Sequence, residues 1–479
     1  MQSFSLFKKA LVYNRDKKRE PGMKINTLLD SIREYLNSLS FLVTVALLSF
    51  FTWLIPSPYL WITASLYLLL GFLPLVAKDG RSYLPLFLGD LILDRDNVSF
   101  SSMPTVSIVL GAFLFLSLIL YIILHKPKMR ATFLFYTLLA LVLVFFVSYV
   151  YVSINLGGAS PYGILYILCL IYFLVIYLLL CSVIGKEETL PYYAEGVITL
   201  SVAISLEVFI GILTTRGFGL ADDTFTLGWS YTRETASTLL VLSLPFYSLL
   251  IREKNLLWFL PEVFPLAAII LLSTDSGLCA LLLFIIPLAI LTLNNYGRSS
   301  SYLILFILFG LGALFGLLMG TDSVFNSRIT SAFKVFAFVP EEGSLREQAY
   351  QSAIAGFITN PILGPSINMF VQDNGTLAFS FNTYLSTLGM GGSLGLGAYL
   401  LYEVSLYFEF AKKKTPGKWI FFLFLLMFEF IGLVDNTIYN LAIFLFYLTS
   451  ICCFEMTSRP EDVQIHEDYF QYQEENREY

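Results

Sequence analysis

Long apolar runs, each near the roughly 20 residues a helix needs to cross a hydrocarbon core, recur from Leu39 to Met456 with short polar gaps between them. Roughly thirteen such runs can be counted by this pattern. They predict an all-α, polytopic membrane protein, and so the polar departures from the pattern carry most of the information. The longest departure spans residues 320–381 and leads into the Gly-rich apolar stretch FNTYLSTLGMGGSLGLGAYL. Within it, Ser344 and Glu347 have the S-x-x-E spacing of a capping box, and helix formers continue to Asn360-Pro361. The spacing predicts a helix of about four turns.

Composition agrees with the pattern. Of 479 residues, 57% are hydrophobic and 13% charged, and the mean hydropathy is +0.74, which excludes a water-soluble core. The net charge is only −6, with basic residues at the ends of apolar runs and an acidic tail at 457–479. Nucleic acid is therefore not an expected partner, and the tail reads as a solvated end. Cys169, Cys181, Cys279, Cys452 and Cys453 all fall inside apolar runs, where they act as small hydrophobes and not as a disulfide framework. His125 and His466 are the only histidines and provide no metal site.

Basic loops set the orientation. The runs His125 to Arg130, Arg252 to Asn255, Tyr296 to Ser300 and Ala411 to Lys418 belong in the cytosol by the positive-inside bias. That places loops 153–162, 214–232 and 320–381 outside and both termini in the cytosol. The opening segment has no apolar core or small-residue cleavage site, so no cleavable signal peptide is expected. Its Lys8, Lys9, Arg15, Lys17, Lys18, Arg19, Lys24 and Arg33 demand the cytosol, yet thirteen crossings would put them outside. The missing crossing is assigned to Ser82–Asp94, thirteen residues long, or about 20 Å of helix. Asp90 within it would cost about 2.5–3.5 kcal/mol at mid-membrane unless buried against neighbouring helices. The expected total is about fourteen segments, divided into a basic arm (1–38), a bundle (39–319), an outer loop (320–381), C-terminal helices (382–456) and the tail (457–479).

The candidate chemistry lies on the outer side. Arg346 falls in the first turn of the predicted helix, where the positive dipole end already favours an anion and an arginine gains nothing from the helix itself. It either pairs with Glu342, Glu347 or another loop carboxylate, or joins Arg328 in gripping a pyrophosphate through charge-assisted bonds. Arg216 and Arg233, the latter with Thr232 as its helix cap, lie at the same mouth, as interfacial anchors or substrate contacts. Asn382 and Tyr384 stand at the entrance of the next helix, placed to contact sugar or phosphate. Glu207, Glu262, Glu403 and Glu429 are alternative functional groups inside the bundle, or are satisfied by neighbouring Tyr, Ser or Thr. Gly389, Gly391, Gly392, Gly395 and Gly397 read first as a surface for close helix packing.

The order Arg328, Arg346, NPILGPSINMF, FNTYLSTLGMGGSLG resembles the O-antigen polymerase and ligase superfamily over about residues 325–400. The positions that carry the likeness are Arg346, Asn360, Pro361, Gly364, Asn382, Tyr384, Leu385, Gly389, Gly392 and Gly395. Weaker echoes are YLPLFLGDLIL and LLSTDSGLCALLL, where Asp275 precedes Ser276-Gly277 and the family's arginine is absent. The resemblance implies a GT-C-like glycosyltransferase of the bacterial cytoplasmic membrane, taking a glycan from an undecaprenyl-pyrophosphate carrier on the outer face. It implies that Arg328 and Arg346 hold the pyrophosphate, that no metal or other cofactor is needed, and that a flippase and a chain-length regulator work beside the enzyme. Phe381 stands where ligases carry a histidine, which favours a polymerase over a ligase and leaves Glu341, Glu342, Glu347 or Asp373 as base, or no base at all. A lipid-linked oligosaccharide flippase is the competing class, although its usual halfway repeat is missing.

Overall fold

In lipid every backbone N–H and C=O must be bonded within the protein, so apolar runs of this kind fold as helices. The computed structural model describes residues 21–54, 71–72, 75–77, 80–93, 105–155, 161–184, 189–216, 220–221, 226–227, 231–251, 261–296, 298–336, 344–367, 381–412 and 417–457. In chain order the helices are α1 (Pro21–Leu36), α2 (Leu39–Leu54), α3 (Leu84–Leu93), α4 (Thr105–His125), α5 (Phe133–Asn155), α6 (Pro161–Val183), α7 (Thr189–Arg216) and α8 (Arg233–Ile251). They continue with α9 (Val263–Leu272), α10 (Asp275–Tyr296), α11 (Arg298–Thr321), α12 (Ser323–Phe336), α13 (Leu345–Thr359), α14 (Thr383–Lys412), α15 (Lys418–Val434) and α16 (Leu441–Thr457). Among the described residues the sole sheet is an antiparallel pair of two-residue strands, β1 (Thr226–Leu227) and β2 (Tyr231–Thr232).

The chain is thus an all-α protein of membrane character. Phe133–Asn155, Gly163–Val183 and Thr189–Thr214 are long and apolar enough to cross a bilayer, and the bent pair Leu308–Thr321 with Ser323–Val335 would make a fourth. Other apolar helices are 10–17 residues long. One reason is visible in the chain: an apolar run need not be one helix. Ser273, with φ 47° and ψ 44°, separates α9 from α10, and the bent pair turns by 108° at its break. Large apolar side chains such as Ile154 (75% exposed) and Phe309 (78%) face outward, as lipid-facing positions do.

The interior is aromatic. Phe421 stacks on Phe454 at 3.8 Å and Phe428 on Tyr447 at 3.9 Å, joining α15 to α16, while Phe246 of α8 packs on Phe421, Phe424 and Phe446. All five cysteines are free thiols.

The short segment expected at Ser82–Asp94 is a single 3-10 turn, Gly80–Tyr83, followed by α3. Tyr83, Leu84, Leu86, Phe87 and Leu88 are buried where α3 packs on α2 and α7. Protein and not lipid surrounds them. The Asp90 side chain, residues 1–20 and the tail beyond Thr457 lie outside the described residues. Part of the basic arm is structured: α1 occupies residues 21–36, and Arg33 pairs with Asp30 at 2.9 Å and donates to Val76 O at 3.1 Å.

The Gly-rich helix departs from its expected role. α14 is broken at Gly392, with φ 60° and ψ −156°, and the Pro361–Gly364 turn that follows α13 inserts into the break. Ser393 N donates to Pro361 O at 2.8 Å, Leu394 N to Ile362 O at 3.2 Å, and Ser366 N to Met390 O at 3.1 Å. Ser148 of α5 seals the joint, its hydroxyl 2.6 Å from Leu363 O and 2.9 Å from Met390 O. A β-carbon on Gly392 would sit 2.4 Å from Ile362 O, and one on Gly364 (φ 67°) 2.6 Å from Met390 O. Helix packing explains Gly391 and Gly395, which lie against Phe145 of α5. Gly392 and Gly364 serve a backbone-to-backbone plug instead.

Candidate active site

The break between α9 and α10 is the centre of a polar region. Thr274 Oγ1 donates to Ser237 Oγ on α8 at 2.8 Å and accepts from Gly277 N at 3.2 Å, capping α10. Gly277 is small for lack of space: a β-carbon there would lie 1.9 Å from Ser237 Oγ. Ser273, Thr274 and Ser276 are buried, whereas Asp275 stays partly exposed. Its Oδ2 accepts from Ser331 Oγ of α12 at 3.2 Å, and Arg346, Arg233 and Glu234 lie within Coulombic range of it.

Arg328 reaches the same break from α12. Asp322 Oδ1 accepts from Val324 N at 2.8 Å and Phe325 N at 3.2 Å, starting a new helix direction after α11. Phe325, Ile329 and Ala332 bury one face of α12, and Arg328 Nη1 donates to Ser273 Oγ and to Ala221 O.

Arg346 arrives from α13, which begins where the capping box predicts: Ser344 Oγ accepts from Glu347 N at 3.2 Å, and the helix runs to Thr359. Arg346 Nη1 donates to Val434 O, the end of α15, at 2.7 Å. Its guanidinium carbon lies 5.0 Å from the centroid of the Phe381 ring, a cation–π contact. Phe381 is thus a platform for the arginine.

Asn382 follows Phe381 at the start of α14. Its Nδ2 donates to Leu433 O at 2.7 Å and its Oδ1 accepts from Leu385 N at 2.9 Å, so it caps α14 and ties it to α15. Tyr384 turns into the bundle, where its hydroxyl donates to Glu429 Oε2; among the described residues no hydrogen bond joins it to the arginines. Arg233 is placed with them, its Nε 2.9 Å from Glu234 Oε1, and Thr232 Oγ1 caps α8 by accepting from Thr235 N at 3.3 Å. Arg216 ends α7, but its side chain lies outside the described residues, as do Glu341, Glu342 and Asp373. Glu347 Oε1 accepts from Gln351 at 3.1 Å along its own helix.

Of the glutamates within the bundle, Glu429 also lies 3.4 Å from the Tyr399 hydroxyl, and Glu403 Oε1 accepts from Tyr447 at 3.4 Å. Glu207 Oε1 and Glu262 Oε2 have no hydrogen-bond partner among the described residues.

Two contributors escape a reading from runs alone: the STDSG break and the loop Asp435–Asn440 between α15 and α16. In that loop Thr383 Oγ1 accepts from Thr437 N at 2.9 Å, Asn436 Oδ1 accepts from Ser386 at 3.0 Å, and Asp435 Oδ2 accepts from Ser276 at 3.5 Å. Asn440 Nδ2 donates to Thr235 Oγ1 on α8 at 2.8 Å. The signal available for both was a cluster of Asp, Asn, Ser and Thr interrupting an otherwise apolar stretch.

One helical turn along α10 from Asp275 an apolar groove of about 220 Å³ opens, lined by Cys279, Leu282, Leu283, Ala332 and Phe333. Leu282, Leu283 and Phe333 are 40–59% exposed, so the groove faces the bundle's apolar exterior. No protein-family model matches the chain, and no curated protein matches it.

Proposed function

We propose that this chain is a polysaccharide polymerase of the O-antigen or capsule type. It joins undecaprenyl-pyrophosphate-linked oligosaccharide repeat units at the outer face of a bacterial cytoplasmic membrane. In this reading the bundle is GT-C-like with about thirteen to fourteen membrane segments, counted by apolar runs, and segment 320–381 is extracytoplasmic. The observation that carries it is the gathering of Arg328, Arg346 and Arg233 around the α9–α10 break, beside an apolar groove open to the bundle's exterior. A lipid pyrophosphate needs that combination. Its tail stays in an apolar medium while guanidinium groups neutralise the diphosphate and stabilise it as a leaving group.

Arginine suits the task because its planar fork makes paired bonds to phosphate oxygens and stays protonated at any working pH. Phe381 favours joining of repeat units over transfer to a different acceptor, since its ring supports Arg346 and offers no proton acceptor of the kind a ligase histidine supplies. The chain-length regulator and flippase expected alongside are partners of this reaction.

Arg328→Ala and Arg346→Ala, each returned to a strain lacking the wild-type gene, test the reading. Each should lower polymer synthesis on the order of 10²–10³-fold, the usual cost of losing a preorganised donor, while single lipid-linked repeat units accumulate. Normal chain lengths in both variants would refute it. Full-length polymer stranded on carrier lipid in the deletion strain would make the protein a ligase. Transport of labelled repeat units by the purified chain without joining would make it a flippase.

A further inference from the structure

Joining two repeat units leaves one proton to place. The acceptor hydroxyl oxygen forms a bond to the donor's anomeric carbon, and the bond from that carbon to the pyrophosphate oxygen breaks with its electron pair passing to the pyrophosphate. The hydroxyl proton must then go to a base. Guanidinium groups take the charge of the leaving group but cannot accept a proton, and neither can the Phe381 ring under Arg346.

Four carboxylates can be weighed among the described residues. Glu234 is ion-paired to Arg233 at 2.9 Å. Glu347 accepts from Gln351 one turn along its own helix. Asp435 is occupied in holding its loop, with Oδ1 accepting from Asn436 N at 2.7 Å and Oδ2 from Ser276.

Asp275 differs from all three. It forms no ion pair among the described residues, and its single hydrogen bond, from Ser331, is on Oδ2, which leaves Oδ1 unbonded. It is the one side chain from Ser273 to Ser276 that is not buried, and it occupies the first turn of α10, where backbone N–H groups favour a carboxylate. The groups around it come from several elements: Arg346 from α13, Arg233 and Glu234 from α8, Ser331 from α12 and Cys279 from its own helix. Asp435 is one hydroxyl away through Ser276.

We propose that Asp275 is the general base of glycan joining, its free Oδ1 taking the proton of the acceptor hydroxyl beside the arginine-held pyrophosphate. The inference rests on the proposed function, and its test separates the two. The full chain is purified in detergent as wild type, Asp275→Asn, Asp275→Glu and Arg346→Ala. Two measurements are made: joining of lipid-linked repeat units extracted from the source cells, as a function of pH, and the thermal shift produced by undecaprenyl pyrophosphate carrying no glycan.

Asp275→Asn should lose joining on the order of 10²–10⁴-fold, in kcat and not in KM, as removal of a general base does. Wild-type kcat should fall on the acid side as the carboxylate protonates, and the Asn variant should lose that limb. Asp275→Glu should recover part of the rate. The Asn variant should bind undecaprenyl pyrophosphate at least as well as wild type, because a negative charge has left the arginine cluster, whereas Arg346→Ala should lose binding and joining together. If Asp275→Asn joins within about threefold of wild type while Arg346→Ala is dead, Asp275 is not the base and the reading of the site survives. Loss of pyrophosphate binding in Asp275→Asn would make it a support for the arginines and overturn the base role. A wild-type protein that joins nothing, with Arg346→Ala binding unchanged, would sink the proposed function and this inference with it.

Discussion

Replacing Gly392 with alanine tests the plugged helix, and its cost can be worked from the geometry. At φ 60° and ψ −156° the backbone is in a region that only glycine adopts freely, so alanine costs about 1–3 kcal/mol before any contact is counted. The new β-carbon would then meet Ile362 O at 2.4 Å, Ile362 C at 2.5 Å and Gly364 N at 2.7 Å. These are backbone atoms that cannot rotate away. Relieving the overlap means lifting the Pro361–Gly364 turn out of the break, which removes the bonds from Ser393 N, Leu394 N and Ser366 N, each worth about 0.5–1.5 kcal/mol. The sum is about 2.5–7.5 kcal/mol, large for a single substitution. Gly397 is the control: it lies in the same helix, and a β-carbon there would meet nothing within 4 Å, so alanine should stabilise by about 0.5–1 kcal/mol. Thermal unfolding of the detergent-purified chain, followed by intrinsic fluorescence, compares the two. Gly392→Ala should unfold well below wild type and Gly397→Ala at or slightly above it. Equal midpoints would show that no turn occupies the break.

Two further outcomes follow from named contacts. Ser344→Ala removes the side-chain acceptor for Glu347 N and should lower stability by about 1 kcal/mol; hydrogen exchange should rise in the first turn of α13, while exchange in α14 stays unchanged. Tyr384→Phe takes away the hydroxyl that bonds Glu429 and leaves a part-buried carboxyl short of a donor, a loss of about 1–3 kcal/mol. A drop in thermal midpoint with unchanged undecaprenyl pyrophosphate binding would fit a packing role for Tyr384, whereas weakened binding in a fully stable variant would restore it to the substrate.

What the chain reveals before folding depends on the range of the interaction. Local signals read correctly: Ser344 and Glu347 announce α13 because a cap is satisfied within four residues, and Thr232 caps α8 for the same reason. The all-α membrane character follows from summed hydropathy. Long-range partners do not read this way. Nothing in the spacing indicates that Arg346 ends on the last carbonyl of α15, that Asn382 spends its amide on Leu433 O, or that Tyr384 faces Glu429. Each is a contact between helices whose relative rotation is set by the whole bundle. The glycine run illustrates the intermediate case. Small residues at four-residue spacing announce close approach, but the sign of φ at Gly392, which decides between packed helix and broken helix, is fixed by a turn 28 residues earlier, at Gly364.

That turn gives the glycines a mechanical relation to the arginine cluster. α13 is fifteen residues long, about 22 Å at 1.5 Å per residue, and it is held at both ends by neighbouring helices. At its N-terminal end Arg346 bonds the end of α15 and rests on Phe381, immediately before α14. At its C-terminal end the Pro361–Gly364 turn fills the break in α14. A rod fixed at one end can swing; fixed at two, it holds the first-turn arginine in register with Asp275 without a bond from the arginine to any carboxylate among the described residues. The plug therefore allows Arg346 to be positioned by a backbone carbonyl and an aromatic face, neither of which neutralises its charge. An ion pair would hold the guanidinium equally well but would consume the positive charge on which pyrophosphate binding depends.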